Sequence, residues 1–224
     1  LPARVEVCDV GPRDGLQSEQ FAVPPATRAE LCRRLALAGL PRVEAASFVR
    51  DPLVPAMAAP EEVVAALDLT ATAYAGLVLN ERGYERLAAT GLPGVHVTFG
   101  VTESFQQRNG GSTVAEGLER AGAVGRRARA DGHPVTAILS CAFGCPYEGR
   151  VDHAAVTAHA ELAASFADVV VLADTIGVAT PTQVRRLVGR VVRSGATIGA
   201  HLHDTRGTAA ACALAALDGG ATVL

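Results

Sequence analysis

Short apolar runs rich in β-branched residues recur at Val5–Val10, Arg42–Phe48, Ala71–Leu79, Val95–Val101, Val135–Ser140, Asp168–Ala173 and Thr197–His203, and each predicts a strand. Amphipathic or alanine-rich stretches separate them. Thr27–Ala38 carries Leu31 and Leu35 on one face with Arg28 and Arg33 elsewhere, and Gly39 stands where a helix stops. Thr180 and Pro181 supply a cap and a first-turn proline for a second helix over Thr182–Val192.

Strand and helix thus alternate seven times at intervals of about 30 to 40 residues, the signature of parallel βαβ units. An eighth strand is predicted to begin at Ala221. Eight such units make a TIM barrel of about 250 residues. Residues 1–224 are therefore read as one α/β domain, a TIM (β/α)8 barrel incomplete at its C-terminus, with the last βα unit missing and open edges on strands one and seven. The alternative, a doubly wound open sheet, lacks a Gly-rich dinucleotide fingerprint after its first strand.

In a barrel the chemistry gathers at the carboxyl ends of the strands, and the unusual polar residues fall there. Arg13, Asp14 and Gln17 follow strand one, Glu44 and Ser47 lie on strand two, Asp174 and Thr175 end strand six, and His201, His203 and Asp204 end strand seven. Successive strand side chains point to opposite faces, so His201 and His203 project the same way and can bind one ion, with Asp14 as an oxygen ligand and Arg13 a fixed cation beside it. Two imidazoles and a carboxylate suit a divalent metal, Mg²⁺ or a first-row ion, with positions left open for catalysis. Read alone, Asp174 and Thr175 equally fit an N-cap, and Glu44 equally fits a structural partner of an arginine in the barrel or a residue that orients Arg13 or a metal-bound water.

Composition narrows the chemistry further. All 20 basic residues are arginine, which removes Schiff-base, pyridoxal-phosphate and P-loop lysine chemistry from this chain. A net charge of −3 without charged blocks gives no nucleic-acid footprint, and no apolar run approaches the roughly 18 residues of a membrane span. The Arg126, Arg127 and Arg129 cluster reads as a solvated helix face. Five scattered cysteines predict reduced thiols and a cytoplasmic protein, with Cys141 and Cys145 packed rather than reactive. His96, His133, His153 and His159 have no evident partners and are read as structural or solvated.

Five stretches resemble the 3-hydroxy-3-methylglutaryl-CoA lyase family of metal-dependent TIM-barrel lyases and synthases. They are Val10–Gln17, Ser47–Val49, Ser140–Gly149 with its Gly-Cys-Pro-Tyr-Glu-Gly segment, Asp174–Val178 and His201–Thr205. The resemblance implies retro-Claisen cleavage of an acyl-CoA substrate to acetyl-CoA and acetoacetate, with Mg²⁺ or Mn²⁺ on Asp14, His201 and His203. Arg13 would stabilise the enolate, and the candidates for the base are Asp174, His201 where it is not fully engaged by metal, and a metal-bound hydroxide. Gln17, Glu44, Ser47 and Thr175 would line the substrate site, and the protein would be a homodimer. The family's asparagine ligand and catalytic cysteine belong after strand eight, beyond the residues of this sequence. The competing expectations are a Claisen-type synthase of the same superfamily and a non-catalytic metal-binding fragment.

Overall fold

The computed structural model describes residues 1–224, the side chain of Ser194 excepted. Seven parallel strands pair in chain order: β1 (Cys8–Asp9), β2 (Arg42–Ser47), β3 (Ala73–Val78), β4 (Gly94–Gly100), β5 (Val135–Ser140), β6 (Val169–Asp174) and β7 (Thr197–Leu202). Eight helices cover the outside of the curled sheet: α1 (Pro25–Leu37), α2 (Pro60–Ala65), α3 (Glu81–Ala89), α4 (Glu103–Gly110), α5 (Val114–Ala130), α6 (His153–Ala164), α7 (Pro181–Val191) and α8 (Ala209–Asp218). The (β/α) barrel architecture and its parallel order match the sequence pattern, and an open dinucleotide-type sheet is excluded by the unbroken strand order.

Both faces of the strands are covered, which explains why β6 reads as a continuous apolar run rather than an alternation. Val169, Val171 and Ala173 join Leu77, Ile138 and Val223 in the barrel interior. Val170 and Leu172 point outward into the larger layer between strands and helices, where Val184, Leu187, Val188 and Val191 of α7 also pack. α7 is capped as its sequence predicts, Thr180 and Gln183 bonding reciprocally to each other's backbone N–H.

Three local expectations change. β1 is only two residues long, but Glu6 and Cys8 continue its pairing to the end of the chain: Glu6 N–H donates to the Thr222 carbonyl at 2.9 Å and Cys8 N–H to the Leu224 carbonyl at 2.7 Å. The other side of this segment pairs with β7, through Thr222 N–H to the Ile198 carbonyl and Ala200 N–H to the Val223 carbonyl. Residues 222–224 therefore occupy the eighth strand position and close the ring at the amino end of the barrel, where open edges were expected. Arg28, assigned to the polar face of α1, is instead 1% exposed and donates to the carbonyl of Ala58, next to the left-handed Ala59. The buried face of α1 is Arg28, Ala29 and Cys32, while Leu31 and Leu35 are only half-buried.

A β-bulge in β2 matters for the site. Glu44 is paired with Ala75 but Ala46 with Gly76, so the residue between them is extra. That insertion restores the alternation one residue late. Glu44 and Ser47, three apart in sequence, consequently both turn toward the barrel interior, Ser47 opposite the interior Leu77.

Candidate metal centre

At the carboxyl end of β1 the chain makes one π-helical turn, Gly11–Gly15, in which the Val10 carbonyl accepts the N–H groups of Arg13, Asp14 and Gly15. The turn drives Arg13 under the barrel mouth, where it is 6% exposed, and presents Asp14 to β7. Asp14 Oδ2 lies 3.0 Å from His203 Nε2 and 3.3 Å from His201 Nε2. Among the described residues this is the only group of three His, Cys, Asp or Glu side chains whose ligand atoms converge, all within 4.8 Å.

The second nitrogen of His203 decides what the first can do. Its Nδ1–H donates to the Asp174 main-chain carbonyl at 2.9 Å, so in the neutral ring Nε2 carries a lone pair aimed at a carboxylate oxygen. Two acceptors facing each other need a cation or a proton between them. Contact with Asp14, opposed by burial, moves the His203 pKa up. The donor set, one carboxylate oxygen and two imidazole nitrogens on a half-exposed rim, fits a divalent ion with open positions.

Behind the triad runs a buried ionic chain. Arg13 donates through Nη1 to Asp14 Oδ1 and through Nε to Glu44 Oε2, both at 2.5 Å. Glu44 is fully buried, and its other oxygen, Oε1, accepts from His96 Nδ1 at 2.7 Å. Burial alone would push the Glu44 carboxyl up, yet the Arg13 charge and the His96 hydrogen bond hold it down at about 2. For Asp14 the hydrogen bonds with His201 and His203 and the charge of Arg13 similarly outweigh burial and hold the carboxyl well below the usual range. His96, read from sequence as lacking a partner, is thus tied to this chain. The signal was its register: His96 pairs with the interior Leu77 and so faces inward.

The other expected residues are placed differently. The side-chain oxygens of Asp174 each accept a backbone N–H, from Val178 at 2.9 Å and Ala179 at 3.0 Å, and it is the main-chain carbonyl of Asp174 that meets His203. Thr175 Oγ1 accepts the N–H of Cys141, a non-glycine residue held at φ 62°. Ser47 Oγ is buried without a hydrogen-bond partner, and Gln17 is half-buried after the turn. Cys141 and Cys145 are packed as expected; burial, foremost, raises the Cys141 thiol to about 12, and Thr102 Oγ1 donates to Cys145 Sγ at 3.1 Å.

The loop after β6 supports His203 by close packing. A Cβ on Gly177, at φ 64°, would stand 2.3 Å from Thr205 Oγ1 and 3.1 Å from the His203 carbonyl oxygen. Gly177→Ala is therefore expected to cost about 1–3 kcal/mol and to weaken Mn²⁺ binding, measured by thermal unfolding and Mn²⁺ titration. Unchanged values for both would mean that the two loops move independently.

The family profile described as HMGL-like matches residues 4–224. The chain belongs to the HMGL-like family. It is 39% identical to the (R)-citramalyl-CoA lyase of Chloroflexus aurantiacus, over 95% of this chain and 71% of that protein. It is 37% identical to the mitochondrial hydroxymethylglutaryl-CoA lyase of Rattus norvegicus, over 100% of this chain and 70% of the relative. The crystal structure of hydroxymethylglutaryl-CoA lyase from Pseudomonas aeruginosa superposes with a TM-score of 0.94 at 37% identity, covering all of this chain and 76% of that one. This HMGL-like chain spans about 70–76% of the length of these relatives. Among the described residues, no helix is long and apolar enough to cross a membrane.

Proposed function

We propose that this HMGL-like chain is a carbon–carbon lyase that cleaves a 3-hydroxy-3-methylglutaryl-type CoA thioester to acetyl-CoA and acetoacetate, using Mg²⁺ or Mn²⁺ held by Asp14, His201 and His203. The observation that carries this reading is the convergence of the three ligand atoms with the guanidinium of Arg13 locked against Asp14. A divalent ion bound there supplies Lewis-acid stabilisation of negative charge on substrate oxygens.

The reaction removes the proton of the tertiary hydroxyl, converts that C–O bond to a ketone, breaks the adjoining C–C bond and leaves the electron pair on the thioester enolate. Arg13, permanently charged and pinned by two carboxylates, is positioned to stabilise the enolate oxygen without reorganising during the step. A proton then goes to the enolate carbon, giving the acetyl thioester. Asp174, with both oxygens holding backbone N–H groups, serves to fix the loop after β6 and the ring of His203 rather than to move a proton. Ser47, whose buried hydroxyl lacks a protein partner, and Gln17 are the residues we assign to substrate oxygens. Five unpaired thiols suit a reducing compartment such as the cytoplasm.

The identity to an (R)-citramalyl-CoA lyase favours a second reading, in which the acyl group is smaller by one carbon unit. Product analysis separates the two. Acetyl-CoA with acetoacetate from 3-hydroxy-3-methylglutaryl-CoA supports the proposal, whereas turnover of (R)-citramalyl-CoA alone replaces the substrate. Condensation of acetyl-CoA with a 2-oxo acid, and no cleavage of either thioester, would make the chain a synthase.

A further inference from the structure

His96 lies outside the metal ligands and projects from the middle of β4 into the barrel, where it is 4% exposed. Glu44, two strands away, is an ionised carboxylate with no access to water, and an ionised carboxylate can only accept hydrogen bonds. At 2.7 Å from Oε1, His96 Nδ1 must therefore be the donor. Nε2 is the other nitrogen of the ring, and His96 and His201 both line a cavity of about 350 Å³.

We infer that His96 is a positioning residue for Arg13, acting through Glu44. The carboxylate has two oxygens with separate duties: Oε2 takes Arg13 Nε–H at 2.5 Å and Oε1 takes His96 at 2.7 Å. With both filled, the plane of the carboxylate is fixed, and with it the plane of the guanidinium, whose Nη1 is then aimed at Asp14 Oδ1. Without the His96 donor, one oxygen of a fully buried anion is unpaired. The carboxylate then gains by rotating to share its oxygens with Arg13, and the guanidinium moves out of the orientation that faces the reacting atoms. The inference rests on the reading above that Arg13 works beside the metal centre in carbon–carbon cleavage.

The test compares His96→Val, which removes the donor, with His96→Asn, whose side-chain NH₂ takes the place of Nδ1–H. Two readouts are made on the whole protein. One is steady-state cleavage of 3-hydroxy-3-methylglutaryl-CoA with Mn²⁺; the other is hydrogen exchange of the Arg13 Nε–H by NMR, its signal assigned by its loss in Arg13→Lys. In His96→Val, kcat is expected to fall roughly 10–100-fold with KM little changed, as for loss of an outer partner of a catalytic group. Arg13 Nε–H exchange is expected to accelerate by about tenfold or more. In His96→Asn both values return close to those of the unaltered protein. Unchanged kcat and exchange in His96→Val would overturn the inference, and so would an Asn variant as impaired as the Val variant, which would point to packing. If the unaltered protein cleaves no thioester while exchange still separates Val from Asn, the lyase reading fails and the positioning role of His96 stands.

Discussion

Replacing Asp14 by asparagine is expected to lower Mn²⁺ affinity by more than about a hundredfold, beyond the range for outer partners of a metal site, and to abolish thioester cleavage. The substitution keeps size and shape but removes the charge that lies 3.0 Å from His203 Nε2 and 3.3 Å from His201 Nε2. A neutral amide cannot offset the charge of a divalent ion, and it can turn its NH₂ toward the imidazole lone pairs and close the site with a hydrogen bond. The fold should survive, because Arg13 keeps its pair with Glu44. Titration with Mn²⁺, followed by its electron paramagnetic resonance signal, measures the affinity directly. Equal affinity in Asp14→Asn and the unaltered protein would remove Asp14 from the ligand set.

The second large effect is on stability. Glu44→Gln is expected to destabilise the protein by about 3 kcal/mol at pH 7, because an arginine 6% exposed loses its buried counter-charge and an amide NH₂ must face a donor from either Arg13 or His96. The sign with pH follows from the depressed carboxyl. The Arg13 charge and the His96 hydrogen bond hold the Glu44 carboxyl down at about 2 in the folded protein, below the ordinary glutamate value of 4.5, so its contribution is complete above about 4.5 and is lost as pH falls through about 2. The difference between the two proteins should accordingly shrink to under about half at pH 3. Urea unfolding at pH 7 and pH 3 reads both numbers. A difference that is the same at both pH values would mean that the Glu44 charge does not stabilise the fold.

Much of the barrel was legible in the sequence because its signals are local. Both faces of a parallel strand are covered, so each strand announces itself as a short apolar run, as in Val169–Leu172. The convergence of Asp14, His201 and His203 was legible for the same reason: alternation along one strand sets the two histidines on one side, and barrel topology brings the ends of β1 and β7 to one rim. What depends on exact register was hidden. The extra residue in β2 that turns both Glu44 and Ser47 inward leaves no mark in composition, and the meeting of Glu44 with His96 spans a third strand. Arg28 looks like a solvated helix residue until the loop it must satisfy, ending at Ala58, is in place 30 residues later. The pairing of residues 222–224 with two strands at once likewise needs the closed ring before it can be seen.

The centre formed by Asp14, His201 and His203 is proposed to bind a divalent ion and to use it to break a carbon–carbon bond. Acetyl-CoA release from 3-hydroxy-3-methylglutaryl-CoA, followed in protein stripped with EDTA and then reloaded with Mn²⁺, tests it most directly when His203→Ala is run beside the unaltered protein. No release is expected after stripping, with recovery on reloading, and neither Mn²⁺ binding nor release is expected in His203→Ala. Release that persists in EDTA, or that survives in His203→Ala, would contradict it.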